Sequence, residues 1–400
     1  MKKILLLFCL FSSFASKGQW QSCNLSMVEA YCVASNDSMV CVGSSAAVYT
    51  SLNNGTTWTL SGSGLPQNIS IHNIIISDSL IFAGTFRGVW ISSDNGSSWV
   101  QSNSGLLDTI IFSMAKSGTD ILVGTNHGGV FRYVSGSGTW SAVNIGLAPN
   151  RVYSLASDGI TLFAGSDSGK VFKSINYGTW ALVNSGLPNS RITTLQILGT
   201  TLFAGTLNNG VYTSADNGNN WNIANTGLVS NSIHSLASAG VNILAGTDSG
   251  IYYSADNGNQ WDNLNMNSTG IATSLVRSIA VGSSNIYIAL STSIPANQLW
   301  YLPLSEISTN IIKINRSLFF TLYPNPNDGN MVFDYSLLDE NDKAELDIYD
   351  IAGKLLYKYE LDISDNQLSI SHKGLNNGIY LYKIKINEQI VKSSKLIIIK

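Results

Sequence analysis

Short apolar or alternating runs, separated by Gly, Asn, Asp and Ser, fill most of the chain, and helical periodicity is scarce. One stretch shows the plan. Val152-Tyr153-Ser154-Leu155-Ala156-Ser157, Leu162-Phe163-Ala164-Gly165, Lys170-Val171-Phe172-Lys173-Ser174 and Trp180-Ala181-Leu182-Val183 alternate or bunch apolar residues between turn formers. They predict four antiparallel strands in succession.

The same plan recurs. Closing tryptophans fall at 58, 99, 140, 180, 221 and 261, spaced 40 or 41 residues apart. Ahead of three of them stands one pattern: Ser92-Ser93-Asp94-Asn95-Gly96-Ser97-Ser98-Trp99, Ser214 to Trp221 and Ser254 to Trp261. Looser copies run from Ser51 to Trp58, with Asn53 in the aspartate position, and from Ser174 to Trp180; a worn copy ends Gly138-Thr139-Trp140. Asp accepts hydrogen bonds from backbone N–H groups just ahead and fixes a turn. The glycine takes a backbone conformation closed to side chains, and the tryptophan anchors the returning strand. Asp94, Gly96, Trp99, Asp216, Gly218, Trp221, Asp256, Gly258 and Trp261 are therefore scaffold residues.

A four-stranded unit of about forty residues is the blade of a β-propeller. The units are 27–66, 67–107, 108–149, 150–189, 190–230, 231–270 and 271–307. The seventh lacks its fourth strand, while Gln19-Trp20-Gln21-Ser22-Cys23-Asn24-Leu25 looks like a fourth strand without the other three. The N-terminal strand is expected to complete the last blade and remove an exposed edge. The fold expected is all-β: a seven-bladed β-propeller followed by a small C-terminal β-sandwich.

The turn motif resembles the Asp-box (BNR) repeat, Ser-x-Asp-x-Gly-x-x-Trp, of sialidase-like, xyloglucanase-like and photosystem II assembly-factor-like propellers. That resemblance implies architecture and leaves activity open. In those families the box lies at the periphery, away from the catalytic face.

Met1 to about Gly18 carries two lysines, a short apolar core and small residues, which reads as a secretory signal peptide over 1–18. No later stretch is apolar enough to be a transmembrane segment. With a propeller over 19–307, a linker over 308–318 follows, where the repeat stops and lysine becomes frequent. Residues 319–400 show alternating strands between turn signals, the pattern of a small β-sandwich. This tail resembles the type A C-terminal sorting domain of the type IX secretion system of Bacteroidota. Tyr323-Pro324-Asn325-Pro326, Leu346 to Lys354, Leu375 to Tyr380 and the terminal Lys395 to Lys400 carry the likeness. It implies engagement of the type IX machinery through 319–400 and a secreted or outer-membrane cell-surface location. An accessory carbohydrate-binding sandwich is the alternative.

Charged residues make up 12% of the chain and the formal net charge is −3, which offers nothing for bulk binding of nucleic acid. Aligning Gly43 with Gly165 makes Asn36-Asp37 a two-residue turn and sets Cys32 across from Cys41. The pair is then either a cross-strand disulfide or two small buried thiols. Cys23 is left over.

Catalytic signatures are missing. Glutamate is nearly absent from the propeller, so no carboxylate pair for glycoside hydrolysis can be nominated. The Arg-Ile-Pro signature of sialidases is absent too, and Phe86-Arg87-Gly88 is a poor substitute. Asp167 and Asp248 sit in Gly-flanked turns. The histidines lack metal-ligand spacing, no Gly-x-Ser-x-Gly elbow is present, and no cofactor is expected. One pattern remains. Ser70/His72, Arg151/Tyr153, Arg191/Thr193, Ser232/His234 and Leu275/Arg277 share the position where each first strand begins, and Arg87 and His127 fall in loops expected on that face. Arg87, His127, Arg151, Tyr153, Arg191, His234 and Arg277 are thus candidate ligand-binding residues, opposite the boxes. They suit an anionic glycan or a peptide carboxylate; a merely solvated rim would look the same. The function expected is non-enzymatic binding of a glycan or protein partner. A sialidase-like or xyloglucanase-like hydrolase with an unrecognised site is the alternative, and an assembly factor a third class.

Overall fold

The computed structural model describes residues 20–399 except for 305–319 and short segments at 26–28, 46, 135–136, 148–150, 266–270, 272–273, 292–297, 324–329, 336–343, 351–353, 362–366, 372–374 and 387–388. The segment read as a signal peptide, the linker and Pro324-Asn325-Pro326 of the sorting motif lie outside the described residues. Two compact units divide between Ile314 and Asn315.

Among the described residues, the first unit holds seven four-stranded antiparallel sheets. Six are continuous in sequence, covering residues 30–61, 71–101, 111–142, 152–182, 192–223 and 233–263. The seventh takes three strands from residues 275–303 and its fourth from Gln21–Ser22, where Gln21 pairs with Tyr301 and Ser22 with Trp300. Each first strand packs against the first strand of the next sheet, and that of the seventh packs against that of the first. This is the arrangement of a β-propeller. Fourth strands are only two or three residues long, which limits the exposed edge.

The tryptophans explain why the sheets stay together. The Trp221 indole N–H donates to Val183 O (2.9 Å), that of Trp261 to Ala224 O (2.7 Å), that of Trp180 to Val143 O (2.5 Å) and that of Trp140 to Ser102 O (2.8 Å). In each case the acceptor lies three residues past the tryptophan of the preceding sheet. Trp99 uses the Ser61 hydroxyl instead (3.0 Å), and Trp20 donates to Leu264 O (2.8 Å), so the N-terminal strand obeys the same rule. These rings are nearly fully buried. Trp58 is the exception: its indole nitrogen is buried without a hydrogen-bond partner. Backbone approaches equally closely at the same seam. Gly186 has φ +94°, and a Cβ there would lie 2.3 Å from Trp221 O, so only glycine fits.

The Ser-x-Asp-x-Gly turns close on themselves. Ser92 Oγ donates to Asp94 Oδ1 (2.8 Å) while accepting from Gly96 N–H (2.8 Å), and Asp94 accepts from the Ser98 N–H (2.9 Å) and hydroxyl (2.6 Å). The copies at Asp216 and Asp256 repeat the serine and backbone bonds, with Asn220 and Gln260 in the place of Ser98. Asn95, Asn217 and Asn257 take φ values of 57° to 59°, a left-handed conformation that Asn tolerates. Hydrogen bonds from Ser98 and Ser92 hold the Asp94 carboxyl down at about 2, and those from Asn220 and Ser214 do the same for Asp216.

The cysteine expectation is corrected. Asn36 Oδ1 accepts from Met39 N–H (3.0 Å) and builds a four-residue turn between the paired Ser35 and Val40. The longer turn shifts the register by two, so Cys32 faces Gly43 and Cys41 faces Ala34. Cys23, Cys32 and Cys41 are free buried thiols, with burial pushing each up to about 12.

The second unit contains a three-stranded sheet (Phe320–Tyr323, Asn330–Tyr335, Gln367–Ser371) and a four-stranded one (Leu355–Leu361, Ala344–Tyr349, Gly378–Ile386, Gln389–Ile398). Leu322, Phe333 and Ile370 from the first share a core with Leu346, Ile348, Ile384 and Leu396 from the second. No helix among the described residues is long and apolar enough to cross a membrane.

Replacing Trp221 by Phe keeps a buried ring but strands the Val183 carbonyl, and should lower unfolding stability by about 1–2 kcal/mol. Trp58→Phe removes a donor that has no partner and should be neutral or stabilising. Urea unfolding measures both, and the reverse order would show that the indole bond does not fasten the sheets. The depressed carboxyls of Asp94 and Asp216 give stability that is complete above their ordinary value of 3.8 and lost as pH falls towards about 2. The melting temperature should decline over that window, and less steeply in the Asp94→Asn/Asp216→Asn double variant.

Candidate binding site at the ring mouth

Every first strand of the ring carries a register shift at the same place. The residues left outside the ladder are Tyr31, His72, Phe112, Tyr153, Thr193, His234 and Arg277. An extra residue of this kind bends the strand and re-aims its side chain. Its neighbours are constant in kind. Before it stand Ala30, Ile71, Ile111, Val152, Ile192, Ile233 and Val276, each at most 2% exposed. After it stand Cys32, Asn73, Ser113, Ser154, Thr194, Ser235 and Ser278, all short. Several of these fasten the next sheet: Ser113 Oγ donates to Val152 O (3.1 Å) and Ser154 Oγ to Ile192 O (3.0 Å). A fixed frame therefore surrounds one position of changing chemistry.

Five of those side chains, with Phe86 from a second-to-third-strand turn and Arg191 from just ahead of the fifth sheet's first strand, form two stacks. In one, Arg277 lies over the Tyr31 ring (5.0 Å), Tyr31 stacks on His72 (4.9 Å) and His72 on Phe86 (4.1 Å). In the other, Arg191 lies over Tyr153 (4.1 Å) and Tyr153 stacks on Phe112 (4.5 Å). Phe86 and Phe112 meet edge to face at 5.9 Å and join the stacks into one arc, capped at each end by a guanidinium. Because strands alternate in direction, this end of the sheets is opposite the Ser-x-Asp-x-Gly turns.

Charge is distributed unevenly along the arc. The Nε atoms of Arg191 and Arg277 are buried without a hydrogen-bond partner, while Arg277 Nη2 donates to Ser291 Oγ (3.0 Å). Burial, followed by the Arg277 charge, lowers the His72 pKa below its ordinary value. The Tyr31 hydroxyl donates to Glu29, and that hydrogen bond, with burial and the Glu29 charge, raises the phenol above its ordinary value. His234 Nε2 lies 2.6 Å from Asp248 Oδ1. Thr193 turns its hydroxyl onto Ile233 O (2.5 Å), where it fastens the neighbouring sheet.

Of the residues nominated from sequence, Tyr153 and Arg191 touch each other, Arg277 caps the other stack, and His234 sits at its sheet's bulge hydrogen-bonded to Asp248. Arg151 is half-buried just ahead of its first strand. Arg87 is exposed beside Phe86, with its carbonyl accepting from Asn103 Nδ2 (3.1 Å). His127 is exposed, its N–H donating to Asp108 Oδ2 (2.6 Å) and its ring against Asn126. Sequence reasoning passed over Tyr31, Phe86 and Phe112. The signal was present as the recurring aliphatic–variable–short triplet. No group of three or more His, Cys, Asp or Glu side chains that could hold a metal occurs among the described residues.

Residues 321–400 match the family model of a secretion system C-terminal sorting domain, and residues 16–144 match that of a DUF6242 beta propeller domain. Among solved structures, YCF48 bound to D1 peptide is 16% identical with a TM-score of 0.58, covering 71% of this chain and 96% of that one. YCF48 from Cyanidioschyzon merolae is 13% identical with a TM-score of 0.56, covering 72% and 99%. PorZ, an essential bacterial surface component of the type-IX secretion system of Porphyromonas gingivalis, is 14% identical with a TM-score of 0.54. That match covers 93% of this chain, which spans 59% of the PorZ chain. No curated protein matches in sequence. The N-terminal unit is a β-propeller, and the tail is a type IX secretion C-terminal sorting domain, which indicates secretion to the cell surface or outer membrane.

Removing the Arg277 charge should raise the His72 pKa part of the way back, since burial is the larger cause. A pH titration of the His72 ring signals by NMR in Arg277→Gln checks this. An unchanged value would show that Arg277 does not face the stack in solution.

Proposed function

We propose that this protein is a non-enzymatic binding protein of the cell surface, holding a glycan or protein partner at the ring mouth. In this reading the ring is a seven-bladed propeller whose N-terminal strand closes the last blade, and its turns are Asp-boxes used as scaffold. The tail is a small β-sandwich that engages the type IX machinery. The carrying observation is the bulge. Seven sheets hold the same frame, the one position released from the ladder varies in chemistry, and five of its side chains gather into a continuous arc. Partly exposed side chains held in place by a rigid scaffold suit recognition.

One observation favours the alternative of a glycan-active hydrolase: the Tyr31 hydroxyl is hydrogen-bonded to Glu29. A phenol used as a nucleophile needs its proton removed easily, and here it is held more tightly than usual. The other carboxylate touching a bulge residue, Asp248, is tied to His234. The binding reading is the better supported.

The full chain should bind members of a glycan array or of a cell-surface protein preparation. Phe112→Ala/Tyr153→Ala should lose those hits, and Asp94→Asn should keep them. Hits surviving the mouth variant would displace the site. Turnover of a fluorogenic sialoside that Tyr31→Phe abolishes would replace binding with hydrolysis.

A further inference from the structure

We infer that the ring mouth takes a linear polyanionic glycan, two of whose anionic groups engage Arg191 and Arg277 separately; this rests on the binding-protein reading above. Each guanidinium keeps a buried Nε–H without an acceptor, and a buried donor left unpaired is costly unless something accepts from it. Both side chains are half-buried, so their outer guanidinium N–H groups can be reached by an anion in a charge-assisted bond that offsets this cost.

The geometry argues for charge recognition over sugar stacking. Tyr31 is covered by His72 on one side and Arg277 on the other, and Tyr153 by Phe112 and Arg191. Their faces are used within the arc, so what these two tyrosines leave for a ligand is ring edges, the positive part of the aromatic quadrupole, beside the guanidinium N–H groups. Both features select anions on a chain whose net charge is −3.

It also argues for repeated charge over a single carboxylate. Arg191 leans on the fourth sheet's Tyr153 and Arg277 on the first sheet's Tyr31, in opposite directions round the ring. Between their own sheets stands the sixth, whose His234 is occupied by Asp248. Two arginines that face apart make no fork for one carboxylate; they make two anion sites. A stiff saccharide chain with regularly spaced acidic groups reaches both with little ordering, whereas an acidic peptide has to be ordered residue by residue.

The test uses the full chain, with polygalacturonate and chondroitin sulfate as probes, fully methyl-esterified polygalacturonate as the neutral counterpart and poly-L-glutamate as the acidic peptide. At least one polyanion should bind, weakening as sodium chloride is added. The methyl ester and poly-L-glutamate should each bind about tenfold or more weaker than polygalacturonate. Arg191→Gln and Arg277→Gln should each weaken polyanion binding by about tenfold, with Lys173→Gln as the surface control. Should either Gln variant fail to fold, the salt dependence and the ester comparison on the unaltered chain decide. Equal binding of the ester, equal binding of poly-L-glutamate, salt-insensitive binding, or no binding to either polyanion each overturns the proposal. Neutral glycans bound through Phe112 and Tyr153 would sink it while leaving the binding reading intact. A chain that binds no glycan and no surface protein removes the binding reading itself.

Discussion

The indole N–H of one sheet bonded to the backbone of the sheet before it is the contact on which the ring depends. Strand pairing organises each sheet internally, but consecutive sheets share no continuous ladder, so their spacing rests on the tryptophan, through its side chain and through its backbone N–H, which at Trp221 donates to Ser185 O (2.8 Å). The tryptophan does this by filling the seam with a large ring while its single donor reaches a carbonyl at a fixed offset, as with Trp221 on Val183 and Trp261 on Ala224. Close backbone approach at Gly186 lets the seam shut without a void. The turn ahead of each tryptophan sets where that ring begins, which is why its serine and aspartate are saturated with local bonds.

Much of this was legible in the sequence, because a period of forty or so residues repeats both turn chemistry and strand pattern. Even the displaced fourth strand could be read, since Trp20 stands before Asn24 as Trp180 does before Asn184, and Trp20 makes the same indole bond as its counterparts. The partner of that bond was not legible. A tryptophan after a turn announces a buried ring, but nothing in the local residues says that its N–H crosses to another sheet. The cysteine register failed for a related reason: Asn36 caps Met39 through its side chain, and that one bond lengthens the turn by two residues.

The mouth was only half legible. Alignment found the right position on five of the seven first strands, and hence Tyr153, His234 and Arg277. It favoured cations and missed aromatics, so Tyr31, Phe86 and Phe112 escaped. The position looks ordinary in any single sheet, for a Tyr or Phe in a strand normally means core. Only the register shift, which a linear pattern does not display, shows that these side chains leave the ladder. Arg132 shows the converse: it is an arginine of the propeller bound up with Asp120 and Tyr177, so its type alone was no guide.

The two ends of the sheets differ in how completely their charged side chains are satisfied. At the turn end, Asp94 and Asp216 accept from neighbouring hydroxyl, amide and backbone donors, and this lowers their pKa and leaves them little capacity for chemistry. At the mouth, two guanidiniums retain buried donors, a state that costs about 1–3 kcal/mol for each unpaired group. Both ends are built from one repeat, so a general shortage of partners is not the cause. The repeat closes its polar bonds at the aspartate turns, while Arg191, just ahead of its first strand, and Arg277, at its bulge, each keep one donor open. On the proposed binding reading, the open donors of Arg191 and Arg277 are stability given up for contact with another molecule.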